Sequence, residues 1–427
     1  MVEVLTGSIG IFFAGIVTLI LANKSRDIAN YLLLAFFLRV VAVIVHTYIF
    51  PLPVGLHDAV VFEFVAWEVA KESDGSLLNY FNYYGDVLSG GNPFEQRIVH
   101  ISVLTYVPFL AFFYVVFDRS PLLLNSISIT FGMFTIYFAW LIAKEVWNDR
   151  SAAKKSALIM AFFPPLIMYS CVTMREIIIV LFVQLFTLFY LRWNETRKSK
   201  NLLFSIMSAS INIFLHNPMF VVLMTSYIKP FFIYSKKNIA GFLNGNPKSL
   251  LVIIFLIVLV GIMIILYSRH VSDSYVPYLG KLSDFSFSNF VNYGQYTNYG
   301  NATYPSFIIA HSIKELILVL PLRVIYFLYS PFLWDISSLK HILGIFDSLF
   351  YMYLSYLFFS RYDYIKSNKK LKIILFIFVV GVFFYSFGVG NFANAMRHRV
   401  KFLTLLVIIV SPFIFTKKLK KIISDRK

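Results

Sequence analysis

The chain has 427 residues, of which 59% are hydrophobic and 14% charged, and its mean hydropathy is +0.75. A water-soluble protein of this length could not hide so much apolar surface, so the composition excludes that class. Apolar runs such as Leu250–Leu266 and Leu371–Gly388 approach the length that crosses a hydrocarbon core about 30 Å thick, and in lipid they must be helical. We predict an all-α, polytopic transmembrane protein in which residues 1–427 form a single integral membrane domain.

The lysines and arginines behind the net charge of +17 gather in short clusters between apolar runs, such as Lys236–Lys237 and Lys369–Lys372. Basic loops of this kind stay on the cytoplasmic side of a membrane. The charge therefore indicates topology and attraction to anionic lipids, and we expect no nucleic-acid partner. Residues 417–427 are predicted to form a basic cytoplasmic tail. The single cysteine, Cys171, excludes an internal disulfide.

Between eleven and thirteen membrane segments are predicted. Eleven apolar stretches are candidate spans: 5–22, 31–50, 122–146, 157–172, 177–192, 202–216, 218–235, 250–267, 342–360, 372–390 and 401–416. If 101–117 and 315–333 also cross, the clusters at 144–155, 192–200 and 236–248 place eleven basic side chains outside. We therefore predict that 101–117 and 315–333 are re-entrant or interfacial.

This topology predicts two large outer loops, 51–121 and 268–341, which contain the interfacial or re-entrant helices. In the first loop, His57–Glu72 is amphipathic, and its apolar positions suit a helix lying on the membrane: Val60, Val61, Phe64, Val65 and Trp67. The short segments 173–176, 216–217 and 391–400 are also predicted to face outward.

Three charged groups on the predicted outer face are candidates for chemistry. Asp58, Glu63 and Glu68 occupy the first loop, but their spacing does not place them on one helical stripe, and the alternative is a solvated face of an interfacial helix. Arg175 and Glu176 follow a span broken by a proline pair. Such a pair is costly at membrane depth unless it faces protein or a water-filled cavity, and the alternative is an interfacial cap.

The third group is Arg397, His398 and Arg399, which the positive-inside rule disfavours outside the membrane. Guanidinium groups suit a diphosphate, which they can bind in forked pairs. The alternative is a short cytoplasmic loop. Arg323, inside the re-entrant candidate 315–333, also needs an anion if it is buried.

A second set of residues could contact sugars. His216 ends a span and is either a helix cap or a sugar contact. Tyr293, Tyr296 and Tyr299 could stack on sugar rings, but tyrosine is also common at membrane interfaces. The sequence has no GxGxxG fingerprint, P-loop, HExxH or closely spaced Cys/His metal site, so we predict neither a cofactor nor a metal.

The pattern resembles the GT-C superfamily of membrane glycosyltransferases. The residues that carry the resemblance are Asp58 with Phe62–Glu63, Pro164–Pro165, Tyr169–Ser170, Arg175–Glu176 and the late arginine cluster. Within that group the chain is most similar to the bacterial oligosaccharide repeat-unit polymerases of the Wzy type, through Pro331–Trp334, Asn391, Arg397–Arg399 and Lys401–Phe402. It lacks a DxD pair in the first outer loop, which favours a metal-independent mechanism.

The resemblance implies a polymerase of O-antigen or capsular polysaccharide, active on the outer side of the bacterial cytoplasmic membrane and part of lipopolysaccharide synthesis. It would transfer a polyprenyl-diphosphate-linked oligosaccharide to another lipid-linked unit, with a chain-length-regulating co-polymerase as a further partner. Asp58 or Glu63 would be the general base, with Glu176 as the other alternative. The diphosphate would bind to a basic set: Arg175, Arg323, Arg397, His398 and Arg399.

Two alternatives stay open. A GT-C transferase that moves one sugar from polyprenyl phosphate would use the same loops. A non-enzymatic flippase or transporter of lipid-linked glycans would carry polar residues at mid-membrane depth, whereas the predicted spans are mostly Ile, Leu, Phe and Val. That pattern favours an enzyme.

Overall fold

The computed structural model describes residues 2–52, 56–89, 101–228, 230, 243, 244 and 302–416. Among these residues the regular secondary structure is helical, apart from one isolated bridge between Thr303 and Asn391, which confirms the all-α prediction. The predicted span 250–267, residues 268–301 of the second loop and the tail 417–427 lie outside the described residues.

The helices, in chain order, are α1 (Val2–Lys24), α2 (Ala29–Tyr48), α3 (Leu56–Glu72), α4 (Leu77–Ser89), α5 (Ile101–Phe117), α6 (Pro121–Trp147), α7 (Arg150–Phe162), α8 (Pro164–Tyr169), α9 (Glu176–Thr196), α10 (Ser199–Leu215), α11 (Met219–Ile228), α12 (Ile313–Tyr329), α13 (Leu339–Ser360), α14 (Tyr362–Ser367), α15 (Lys369–Gly388) and α16 (Phe392–Val410). In the described part of the chain, five segments are long and apolar enough to cross a membrane: Glu3–Lys24, Arg26–Tyr48, Pro121–Trp147, Glu176–Thr196 and Lys369–Gly388.

Two predicted spans differ from the observed helices. The stretch 157–172 is interrupted, because α7 ends at Phe162 and Pro164, which has no N–H for a continuing helix, begins the short α8. Within the stretch 401–416, residues 402–410 are the second half of a helix that already begins at Phe392 and ends at Val410. Arg397, His398 and Arg399 therefore lie inside α16 and not in a loop.

Helix α16 lies at the centre of the helical bundle. It contacts α15, α9, α12, α13 and α7, and its residues from His398 to Val410 are all buried. Its close approach to α15 depends on Gly381, because a Cβ there would lie 2.5 Å from Cε1 of the Phe402 ring. A helix that is apolar on every side over its second half fits such a position.

Ion pairs join several helices at one end of the bundle, which we call the basic end. Arg192 of α9 pairs with Glu145 of α6, and Lys370 of α15 pairs with Glu195 of α9 at 2.8 Å. The lysine also donates to the carbonyl of Glu145 at 2.9 Å. Because α9 begins at Glu176, the other end of the bundle is called the Glu176 end.

Helix α5 begins and ends at the Glu176 end of the bundle. Near its start α5 is tied to the end of α10, since the Thr105 hydroxyl donates to the carbonyl of Phe214 at 2.7 Å. Helix α5 ends at Phe117, four residues before α6 begins. Between the two helices, the Ser120 hydroxyl donates to the carbonyl of Glu3, near the start of α1, at 2.8 Å. Helix α5 therefore does not connect the two ends of the bundle.

Helix α3 packs against α5 through one side only. Ala59, Phe62 and Ala66 are buried, whereas Val60 and Phe64 are exposed. Of the apolar positions that the sequence assigned to the membrane surface, Val60, Val61 and Phe64 are exposed, whereas Val65 and Trp67 pack partly against the core.

A buried arginine closes the break between α7 and α8. Arg39 of α2 donates to the carbonyls of Ala161 at 2.9 Å and Met160 at 3.3 Å, and to the Ser170 hydroxyl at 2.8 Å. Carbonyls at the end of a helix have no partner within it and carry partial negative charge. Arg39 therefore caps α7 from within the apolar core.

The first prediction concerns the α15–α16 contact. Gly381→Ala should lower the free energy of unfolding by about 1–3 kcal/mol, because its Cβ would press on the Phe402 ring. Gly85→Ala is the matched control, since a Cβ on this exposed residue of α4 meets nothing within 4 Å. Thermal unfolding of the purified protein in detergent measures both. Equal melting temperatures for the two variants would contradict the close contact.

The second prediction concerns sidedness. In a Cys171→Ser background, cysteine at exposed position 57 of the Glu176 end should react with an impermeant thiol reagent added to intact cells. Cysteine at Ser199, an exposed residue of the basic end, should react only after permeabilisation, because basic loops stay inside. The opposite labelling pattern would invert the predicted topology.

Candidate functional site

Two carboxylates share one arginine at the Glu176 end of α16. Arg397 Nε donates to Glu176 Oε1 at 2.5 Å, and its Nη1 donates to Asp58 Oδ2. The three residues come from α16, α9 and α3, so the structure brings together three of the sequence-predicted site residues.

Burial distinguishes the two carboxylates. The side chain of Glu176 is 0% exposed, that of Arg397 15% and that of Asp58 40%. Glu176 is the first residue of α9, where the helix dipole also favours a negative charge. The chain reaches this position through the proline break at Pro164 and a short turn. The site thus opens to solvent on the side of Asp58.

Arg175 and the aromatic ring of Phe62 hold α3 against this cluster. The Arg175 guanidinium lies 5.7 Å from the centre of the Phe62 ring, and its Nη1 donates to the carbonyl of Leu215 at 3.1 Å. Phe62, one turn after Asp58, also packs edge to face on Tyr106 at 5.3 Å. The packing of Phe62 therefore sets the position of Asp58.

A group of buried polar side chains lies next to Arg397 and is joined by two hydrogen bonds and one ring contact. Lys401 Nζ lies 2.8 Å from His398 Nδ1, and the His398 ring lies 5.3 Å from the ring of His216. His216 Nδ1 in turn lies 2.8 Å from the hydroxyl of Tyr385. Each of these side chains is at least nine-tenths buried.

The sequence analysis did not select Lys401, Tyr385 or Asn212 as site residues. Lys401 carries a usable signal, because it follows Arg397 by one helical turn and therefore shares a face with it. Asn212 precedes His216 by one turn of α10, and its carbonyl accepts the His216 N–H at 2.8 Å. Tyr385 has no such signal in a run of aromatic residues.

Several buried polar atoms of this region have no hydrogen-bond partner among the described residues. They are Glu176 Oε2 and both Oδ1 and Nδ2 of Asn212. Buried polar groups are nearly always paired with protein or water, so such atoms point to a site that binds a polar molecule. Among the described residues, the charged groups that interact with Glu176 are basic: Arg397, Lys401 and Arg175. With Asp58 the region therefore holds three basic and two acidic side chains.

Arg399 lies apart from this site although it is two residues from Arg397. It donates through Nε at 2.8 Å and through Nη2 to Asp347 Oδ2, and through Nη1 to the carbonyls of Leu328 and Ser330 at 2.8 and 2.7 Å. Both side chains are buried. This arginine therefore joins α16 to α13 and to the end of α12.

Arg323 also has protein partners in place of a ligand. Its guanidinium donates to the carbonyls of Ser386 and Phe387, both at 3.0 Å, and of Val389 at 2.8 Å. These carbonyls end α15. The anion that a buried arginine needs is supplied here by a helix terminus.

Glu63 faces away from Asp58 and pairs with Arg119. The guanidinium forms a fork on the carboxylate, with Nε to Oε1 and Nη2 to Oε2 both at 3.0 Å, and Tyr114 donates to Oε1 at 2.8 Å. The ion pair raises the pKa of Arg119 above its usual value, mainly through the hydrogen bond to Glu63. A cleft of about 590 Å³ beside this pair is lined by residues that include Trp67 and Asp118.

The remaining predicted contacts are of two kinds. His216 and His398 belong to the buried cluster, whereas Tyr293, Tyr296 and Tyr299 lie outside the described residues. Within the described ranges no group of three or more His, Cys, Asp or Glu residues could hold a metal ion.

No family model, no curated protein and no solved structure matches this chain. Its function must therefore be argued from the chemistry of the site.

The third prediction separates Arg399 from the site. Asp347→Asn or Arg399→Met alone should lower the free energy of unfolding by about 3–5 kcal/mol, because each leaves a buried partner uncompensated. The double variant Asp347→Asn/Arg399→Met should lose less than the sum of the two single losses, because it removes both charges of the pair. Melting temperatures in detergent complete the cycle. Strict additivity would contradict a direct buried pair.

Proposed function

We propose that the protein is a membrane glycosyltransferase that polymerises polyprenyl-diphosphate-linked oligosaccharide repeat units at the outer face of the bacterial cytoplasmic membrane. The observation that carries the proposal is the ion pair of a half-exposed carboxylate, Asp58, with Arg397, whose second partner Glu176 also interacts with Arg175 and Lys401. A base beside a cationic pocket is what transfer from a diphosphate leaving group requires.

The position of the site supports an enzyme that acts on a lipid-linked substrate. Glu176 begins α9, His216 follows the end of α10, and Tyr385 lies in the last turn of α15. The cluster thus lies at the ends of apolar helices, where a polyprenyl chain could stay in lipid while its diphosphate reaches the arginines.

In the proposed reaction the acceptor hydroxyl oxygen forms a bond to the anomeric carbon of the donor sugar. The bond from that carbon to the diphosphate oxygen breaks, and the electron pair leaves with the diphosphate. Asp58 accepts the hydroxyl proton. Arg397, Arg175 and Lys401 stabilise the negative charge that develops on the leaving group.

Each remaining candidate has a defined part in this proposal. Glu176 positions Arg397 through the 2.5 Å hydrogen bond and is too buried to meet the acceptor directly. His398 and His216 line the basic pocket. Arg323, Arg399 and Glu63 hold helices through their own partners and stay outside the donor site. A transferase that moves a single sugar would use the same groups and differs in its product.

One observation favours a second candidate, a proton-coupled transporter of lipid-linked glycans. Lys401, His398, His216 and Tyr385 form a buried series of titratable side chains, and such series are typical of proton relays in transporters. His216 and Tyr385 lie at the ends of α10 and α15, whereas Lys401 lies midway along α16. The half-exposed carboxylate of Asp58 beside Arg397 favours the enzyme, because a general base must reach the acceptor.

The fourth prediction tests the proposed reaction. Purified protein incubated with a defined undecaprenyl-diphosphate-linked repeat unit should give a ladder of products. Asp58→Asn should slow the turnover by about 10²–10⁴-fold, because the general base is lost. Glu68→Gln is the matched control on the same helix, since Glu68 pairs with Lys71 on the surface and should leave turnover unchanged.

Other outcomes decide between the alternatives. A single added sugar would identify the one-sugar transferase. Proton-dependent movement of the intact lipid across liposomes, without any new glycosidic bond, would identify the transporter. Full turnover in Asp58→Asn together with loss in Glu63→Gln would move the base to Glu63.

A further inference from the structure

The two carboxylates on Arg397 leave no complete edge of its guanidinium group open to another anion. A forked pair uses two N–H groups of one edge, either Nε with Nη2 or Nη1 with Nη2. Glu176 takes Nε and Asp58 takes Nη1, so a carboxylate engages one N–H of each edge. A diphosphate can therefore bind Arg397 in the forked geometry only if one carboxylate leaves.

Burial decides which carboxylate leaves. Releasing Glu176, whose side chain is 0% exposed, would strand a charge in the protein interior. Asp58 is 40% exposed, so water can solvate its carboxylate once it is released. The remaining Glu176 contact keeps the guanidinium in place, and the basic groups Lys401 and Arg175 keep the surroundings favourable for an anion.

The helix that carries Glu176 is also more deeply buried than the helix that carries Asp58. Glu176 belongs to α9, which packs against the central α16 and is largely buried. Asp58 lies in the first turn of α3, next to the fully exposed His57, and α3 packs mainly on α5. Release of the Asp58 side chain from Arg397 therefore requires no movement of the buried α9.

We propose that the Asp58 carboxylate is a built-in occupant of the donor's anion site, which the diphosphate displaces from Arg397 when the donor binds. This inference rests on the proposed function. Before the donor arrives, the ion pair holds the Asp58 carboxylate against Arg397. Displacement frees Asp58 at the moment when the anomeric carbon is in place, so the donor must bind before the acceptor can be activated.

The displacement predicts an effect on binding that is opposite to the effect on turnover. Asp58→Asn removes the competing charge and should tighten the binding of inorganic pyrophosphate by roughly 3- to 30-fold. This range corresponds to a competing contact whose free energy lies between that of an exposed ion pair and that of a charged hydrogen bond. The same variant loses transfer. Glu68→Gln, on the same helix and paired with Lys71, should bind pyrophosphate as the wild type does.

The measurement is calorimetric titration of the full chain in detergent with pyrophosphate, and the melting temperature of each variant checks its fold. Unchanged or weaker binding by a folded Asp58→Asn variant would overturn the displacement and leave the proposed function standing. If the wild-type protein binds neither pyrophosphate nor a prenyl diphosphate, it has no donor site of the proposed kind. That result would contradict both the displacement and the proposed function.

A second measurement keeps the wild-type aspartate. An environment-sensitive fluorophore on cysteine at position 57, in a Cys171→Ser background, reports the start of α3 beside Asp58. Pyrophosphate should change its emission saturably in this protein, and the change should be absent when Asp58→Asn is added. The same response in both proteins would mean that the anion moves α3 without displacing Asp58, which contradicts the inference.

Discussion

A charge that is buried in a low-dielectric interior must meet an opposite charge or an aligned set of dipoles, and the described part of this protein is organised by four arginines that meet that requirement differently. Arg39 and Arg323 bind the carbonyls that end α7 and α15. Arg399 binds a buried aspartate and the carbonyls near the end of α12. Arg397 binds two carboxylates. Arg39, Arg323 and Arg399 therefore join helices, whereas Arg397 belongs to the candidate site.

What separates Arg397 from the other arginines is the accessibility of its partners. A helix terminus cannot leave its arginine without unfolding, and Asp347 is as buried as Arg399 itself. Asp58 is half exposed and lies on a helix at the edge of the bundle. Exchange of this partner for a ligand costs little, because water replaces the arginine at the released carboxylate. The same electrostatic rule thus produces a scaffold at three positions and an exchangeable contact at the fourth.

The sequence predicted the helical class and the extents of α6, α9 and α15 closely, because long apolar runs have one stable form in lipid. It also selected Asp58, Glu176 and Arg397, although these lie far apart in the chain. Each is a charged residue on the predicted outer face, away from the basic cytoplasmic clusters, so each stood out. Their mutual contact was not predictable, because it depends on how α3, α9 and α16 pack.

The sequence analysis treated Arg397 and Arg399 as one charged group, whereas the structure gives them separate partners. In a loop, the two side chains could converge on one anion. In a helix, residues two apart point to different sides, and α16 accordingly gives Arg397 to Glu176 and Arg399 to Asp347. The helix begins at Phe392, before the apolar run that was visible in the sequence, because Asn391 caps it by accepting the Asn394 N–H at 2.7 Å.

The division of α16 into a polar first half and an apolar second half explains how one helix can serve both purposes. The second half, buried on every side, fixes the helix in the core, and the first half carries Arg397, His398 and Lys401 from that rigid base. The cationic side of the site is therefore preorganised, as stabilisation of a developing charge requires. The acidic side is divided between Glu176 on the buried α9 and Asp58 on the peripheral α3. A rigid set of cations facing one fixed and one movable carboxylate is an arrangement that can bind an anion and release a base in the same step.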